Sequence, residues 1–217
     1  MIVAAHQTML APQETWPVPL YTGVSLVGSS VRNNSGILSG FTTSSYATMP
    51  WRMTAGATSL EAVIKFSTPN IATTQGIWGS VGSINSYTPF YFEGNLSTYG
   101  FRSFLSQNGS SWTINATSGG WTTPPVANAD IVLRSKWDGS SVSFDSFSVA
   151  WSTERALQLL AVYGASDVVP QLGTNRGSSW PFLGTIDLNY TYLMRDGELW
   201  WEGVAGAYKN VKTTYPD

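Results

Sequence analysis

The sequence predicts an all-β protein of two antiparallel sheets packed face to face, on three observations. Short segments of alternating apolar and polar residues are separated by Asp-Gly and Asn-Gly pairs, which accept the positive φ that tight hairpin turns require. Gly, Ser, Thr and Asn fill most polar positions, and charged residues make up only 11% of the chain, against roughly 25% in ordinary soluble domains. Each hairpin leaves one continuous apolar face, and two such sheets bury each other. At 217 residues and 42% hydrophobic content, one large domain suits the composition better than two small ones.

Taken in order, residues 1–20 read as an N-terminal arm: apolar at Ile2, Val3, Met9 and Leu10, then Pro12, Pro17 and Pro19 around Trp16. Prolines disfavour both helix and internal strand, so these apolar positions, Trp16 included, are expected to dock on a neighbouring subunit. The domain proper is expected over residues 21–217. Leu60 to Phe66 alternates, with Leu60, Ala62, Ile64 and Phe66 on one face and Glu61 and Lys65 on the other. Asn108-Gly109 predicts a hairpin between Arg102–Gln107 and Ser110–Asn115. Asp138-Gly139 predicts another, with Ile131, Leu133, Val142 and Phe144 on a dry face and Arg134, Lys136, Ser141, Ser143 and Asp145 on a wet one. Glu154 to Tyr163 is the one stretch whose pattern also suits a short helix; it is read as a strand because Leu157, Leu159 and Ala161 alternate equally well.

The most informative stretch runs from Phe182 through Gly184, Ile186, Asp187 and Leu188 to Arg195-Asp196-Gly197-Glu198 and Leu199-Trp200-Trp201. A two-residue Asp196-Gly197 turn places Arg195 opposite Glu198, Met194 opposite Leu199, Leu193 opposite Trp200 and Tyr192 opposite Trp201. Met194, Leu199, Tyr192 and Trp201 then form one apolar face. Asp187 points away from Ile186 and Leu188 and is expected to anchor backbone amides.

This closing segment, pF-G-s-I-D-L followed by G-e-l-W-W, resembles the end of the concanavalin A-like, laminin-G-like jelly rolls carried by many bacteriophage structural proteins. Ser59–Phe66 resembles that family's early core strand and Ile131–Phe147 its central hairpin. The resemblance implies a jelly roll from about Tyr21 onward and a virion component, displayed as a head decoration, cement or fibre protein and held through its arm. It also implies a homo-oligomer, trimeric as in many phage appendages, with capsid or tail proteins as partners.

The chemistry visible in the chain is that of binding. Retaining glycosidases of this fold need two acids on alternate positions of one strand, and no E-x-D-x-E pattern occurs. Glu198 and Glu202 are separated by Trp200 and could share a face, but a surface ion pair of Arg195 with Glu198 accounts for the former. The single histidine, His6, sits in the arm, Gly-x-Ser-x-Gly is absent, and there is no cysteine. No catalytic residue, metal site or cofactor is therefore assigned, although Asp130, Asp138 and Asp167 leave a weak calcium site open. A net charge of −2 without a Lys/Arg run argues against nucleic acid. No run reaches the roughly 18 apolar residues of a membrane span. Met1 to Gln7 lacks the basic and apolar regions of a secretory signal, so export by that route is not expected; residence in the virion after synthesis in the host cytoplasm is what the resemblance implies.

Ten tryptophans remain to be placed. Trp137, Trp151, Trp200 and Trp201 lie in strand patterns and read as structural. Trp78, Trp112, Trp121 and Trp180 sit beside Gly, Ser, Thr or Pro, where an exposed ring can stack on a sugar or a partner. Trp112, Trp121, Asn175, Arg176 and Trp180 are the candidate contacts for a host glycan. A carbohydrate-binding adhesin is thus the alternative to a purely structural virion protein, and a glycoside hydrolase of the same fold is a more distant one.

Overall fold

The computed structural model describes residues 15–51, 57–70, 72–81, 90–95, 100–105, 114–117, 126–139, 141–146, 151–156, 169–174 and 180–216. In chain order the elements are β1 (Tyr21–Thr22), β2 (Ser25–Val27), β3 (Arg32–Asn34), β4 (Ile37–Ser39), β5 (Tyr46–Thr48), β6 (Leu60–Ser67), β7 (Gln75–Val81) and β8 (Phe90–Asn95). They continue with β9 (Gly100–Leu105), β10 (Ile114–Thr117), β11 (Ile131–Trp137), β12 (Ser141–Ser146), β13 (Trp151–Ala156), β14 (Val169–Leu172), β15 (Thr185–Arg195), β16 (Glu198–Glu202) and α1 (Ala207–Thr214). One sheet runs β1-β16-β15-β6-β11-β12-β13, with β4 and then β3 added alongside β15. The other runs β10-β9-β8-β7-β14-β5-β2. Pairing is antiparallel except where β1 lies parallel to β16. This is the predicted sandwich.

The core between the sheets follows the alternation in the sequence. Leu60, Ala62, Ile64 and Phe66 of β6 meet Ile131, Leu133, Trp137, Val142 and Phe144, together with Trp78 of β7 and Leu172 of β14. The aromatic rings pack edge to face, Trp78 on Trp201 at 5.5 Å and Phe66 on Phe182 at 5.7 Å between centroids. Gly184 explains itself in this packing: a Cβ there would sit 1.8 Å from the carbonyl oxygen of Ser67.

Three expectations are corrected. The Asp196-Gly197 turn forms as predicted, both residues at positive φ (52° and 83°), with Arg195 opposite Glu198 and Met194 opposite Leu199. Beyond it Trp200 is an extra residue, so Leu193 faces Trp201 and Tyr192 faces Glu202. In such a bulge the two residues opposing one partner lean to the same side. Trp200 and Trp201 accordingly turn to the inter-sheet core, while Tyr192 and Leu199 stay on the outer face. Arg195 also pairs with Asp196 (3.4 Å), and its guanidinium lies 4.8 Å over the Trp200 ring.

The second correction concerns that outer face. It is not wholly wet, because α1 covers it: Val63, Val132, Tyr192, Leu199 and Val211 form a second buried cluster. The helix lies at Ala207–Thr214, whereas Trp151–Ala156 is strand and residues 157–168 lie outside the described residues. The third is turn placement. Trp137 pairs with Val142, and Asp138 N–H donates to the Ser141 carbonyl, so this hairpin closes two residues wider than an Asp138-Gly139 turn would close it. Leu105 pairs with Ile114, also two residues wider than an Asn108-Gly109 turn gives; that turn itself lies outside the described residues. A shift of two preserves the facing, so the predicted dry face of β11 and β12 is intact.

β15 carries a larger irregularity. Asp187 pairs with Lys65 but Tyr192 with Val63, which inserts three residues into β15. Asp187 holds the insertion together: its Oδ1 accepts from the backbone and side-chain amides of Asn189 (3.0 and 2.9 Å), and its Oδ2 lies 3.4 Å from Lys65 Nζ. The anchoring role expected of Asp187 is what the geometry gives it.

Candidate functional site

Among the predicted contact residues, Trp112, Trp121, Asn175 and Arg176 lie outside the described residues. Trp180 is described, and its setting is unusual. Its φ is +53°, a left-handed conformation that bulky side chains rarely adopt. Its carbonyl accepts from Gly76 N–H at 2.9 Å, which fixes the backbone to the first turnward residues of β7. The side chain is nonetheless 53% exposed. Three residues on, Leu183 is 49% exposed while its amide donates to Gln75 Oε1 at 2.9 Å. Gln75 is buried and also receives the Thr68 hydroxyl at 3.1 Å, and Thr68 O accepts from Asn128 N–H at 2.8 Å, beside the exposed Val126. Trp180, Leu183 and Val126 are thus presented at one end of the sandwich on a scaffold tied together through Gln75 and Thr68. Sequence reasoning singled out Trp180 but not Gln75, whose position in β7 carries no signal of its place in this scaffold. Trp78, weighed with Trp180 as a loop residue, is fully buried between the sheets.

Several acidic side chains at the described positions serve the fold. Glu202 is 3% exposed, and its two oxygens accept from Gly206 and Tyr208 N–H, both at 2.9 Å, so it caps α1 from the strand before it. Glu61 accepts from the Tyr192 hydroxyl at 2.8 Å. Burial, and next the Glu61 carboxylate, push the Tyr192 phenol far above its usual range. Asp145 pairs with Arg134 (2.9 Å) and Asp138 accepts from Ser141 N–H and Oγ. Partial burial works against the Lys65 ammonium, but Asp130 and Asp187 outweigh it and hold its pKa above the ordinary lysine value. Desolvation likewise opposes ionisation of Asp196, yet donation from Thr58 and Ser59 holds its carboxyl below the usual range. Of the calcium candidates, Asp130 is bound to Lys65 and Asp138 to its own turn, and Asp167 is outside the described residues. Among the described residues no three His, Cys, Asp or Glu side chains cluster as metal ligands would.

The arm contributes where it is described. Leu20 N–H donates to Leu199 O at 3.3 Å and Trp16 packs edge-on against Tyr208 of α1 at 6.2 Å; just past the arm, Trp201 Nε1 donates to Gly23 O at 2.8 Å and Gly23 N–H to Glu202 O at 2.9 Å. The last described arm residues therefore lie along β16 and the start of α1. Val18 (86%) and Leu20 (60%) nevertheless remain exposed. Ile2, Val3, Met9 and Leu10 lie outside the described residues.

The chain is similar in fold to known structures. Domain 4 of the arabinanase AbnA from Geobacillus stearothermophilus, solved with arabinotriose, is similar to this chain at a TM-score of 0.52 and 14% identity, covering 79% of this chain and 78% of that one. The fold is the concanavalin A-like jelly roll. Mouse laminin α1 domains LG4-5 are similar at a TM-score of 0.54 and 9% identity, over 87% of this chain and 48% of that one. At these identities the likeness speaks for the fold alone. No protein-family model and no curated protein sequence matches the chain.

Proposed function

We propose that this chain is a non-enzymatic adhesin: a lectin-type jelly roll that binds host-surface glycans from the surface of a bacteriophage particle, held there through residues 1–20. The observation that carries the glycan reading is Trp180, a half-exposed indole on a backbone fixed in a conformation it would not choose freely. Strain of this kind, held by surrounding hydrogen bonds, is characteristic of residues positioned for a ligand. The structural duties of Glu61, Asp138, Asp145, Asp187, Asp196 and Glu202 support binding over hydrolysis. The arabinotriose held by AbnA domain 4 supports a saccharide as ligand.

A glycan array read with the wild-type chain and with Trp180→Ala tests this. The variant should lose about 10-fold or more in signal, as for a central aromatic contact. An array on which both proteins are silent, or equally bright, refutes the reading. The virion placement rests on the resemblance of Phe182–Trp201 to phage jelly rolls and on the exposed apolar Val18 and Leu20. Particles lacking the protein should recapture the full chain but not a Val18→Asp/Leu20→Asp variant, and equal recapture removes the arm from the anchoring role.

A further inference from the structure

At the opposite end of β15 from Trp180, on the outer face of its sheet, a groove of about 340 Å³ runs beside α1. Volumes of this order hold small ligands. Its floor is a single row across three strands, because Lys136 of β11 pairs with Glu61 of β6 and Glu61 with Met194 of β15. Its wall is Tyr208 and Lys212, one helical turn apart on α1, with Lys212 Nζ 6.0 Å from the Tyr208 ring centroid. One Glu61 oxygen accepts from the Tyr192 hydroxyl, and Lys136 forms no ion pair among the described residues.

Two features decide what such a groove recognises. Lys136 and Lys212 are balanced by Glu61 and Asp138, so the lining selects no net charge. An ammonium and a carboxylate side by side in one cross-strand row are the complement of a vicinal diol, whose hydroxyls accept from one and donate to the other. A half-buried phenol ring beside them suits the C–H face of a sugar. We propose that this groove is a second, separate saccharide subsite, binding a neutral pyranose through a vicinal diol held between Lys136 Nζ and the Glu61 carboxylate, with the ring against Tyr208. The ligand class rests on the glycan reading above; the site does not involve Trp180.

Backbone-amide NMR on the full chain tests it, with methyl glucopyranoside, methyl galactopyranoside and methyl mannopyranoside as probes. Tetrahydropyran-2-methanol, which lacks a diol, and glucuronate serve as comparisons. At least one hexoside should shift the amides of Tyr208 and Lys212. Lys136→Gln and Glu61→Gln, the latter still able to accept from Tyr192, should each weaken that hexoside about 10-fold. Trp180→Ala should leave its Kd unchanged. The inference is overturned if no hexoside moves these amides, if the diol-free ring moves them equally, or if glucuronate binds the tighter. Glycan-array loss on Trp180→Ala with hexoside binding indifferent to Lys136 and Glu61 would sink the groove and leave the Trp180 reading standing. Hexoside shifts at Tyr208 beside a silent array would do the reverse.

Discussion

Replacing Glu202 tests how α1 is held. This buried carboxylate accepts two α1 backbone amides, Gly206 and Tyr208, at 2.9 Å each. Gly206 itself offers no side-chain cap. A hydrogen bond to a charged group contributes about 1.5–3 kcal/mol, and its loss leaves a buried donor unpaired. In Glu202→Gln one oxygen still accepts, while the NH2 group faces an amide it cannot serve, so the cost should be about 1.5–3 kcal/mol. Glu202→Ala removes both acceptors and should cost about 3–5 kcal/mol. In a domain of this size 1 kcal/mol corresponds to roughly 2–4 °C in Tm. Denaturant unfolding followed by tryptophan fluorescence measures the free energy, and hydrogen exchange at the Gly206 and Tyr208 amides localises it. If Glu202→Gln unfolds within about 0.5 kcal/mol of wild type and those amides exchange at unchanged rates, the capping account is wrong.

Two further outcomes follow from the same face and edge. The Tyr192 phenol is raised in the folded state, so that state keeps its proton after the unfolded chain has lost it. Stability from this group is complete below about pH 10 and declines as pH rises beyond it. Lys65 is raised too and adds a decline of the same sign at still higher pH. Tyr192→Phe should flatten the fall in unfolding free energy above pH 10, at a cost of about 1 kcal/mol at neutral pH; an unchanged slope refutes the assignment. Trp201→Phe keeps an aromatic core residue but removes the donor to Gly23 O. The segment before β2 should then be cleaved faster in limited proteolysis, and an unaltered rate would show that the indole does not hold that segment.

What the sequence made legible was periodicity. The alternation of Leu60–Phe66 and of Ile131–Phe144 predicted the dry faces, and Asp196-Gly197 predicted a turn that both residues enter at positive φ. What it hid was anything that breaks the period or depends on a distant partner. The bulge at Trp200 has no marker in Leu199-Trp200-Trp201, since every residue there is apolar and suits either face. The helix was invisible because eight residues with only Ala207 and Val211 on the buried side fall short of the roughly 12–15 needed for marginal stability in isolation. Contacts of Tyr208 and Tyr215 with β15, and the cap from Glu202, supply the remainder. Trp78 misled for a related reason: its flanking glycines, Gly76 and Gly79, resemble loop punctuation yet stand inside β7.

The extra residue at Trp200 acts as a change of reading frame. A strand has only two sides, so a single inserted residue exchanges the destination of everything after it until the ladder ends. Ahead of the insertion Leu199 belongs to the helix side; after it Trp201 belongs to the space between the sheets and Glu202 returns to the helix, where its carboxylate is needed. Pairing Trp200 regularly, with no bulge, would therefore not move one ring alone. It would send Trp201 outward beneath α1 and turn Glu202 into the inter-sheet core, so the strand and the helix that follows it are tied to one another by parity and not only by contact.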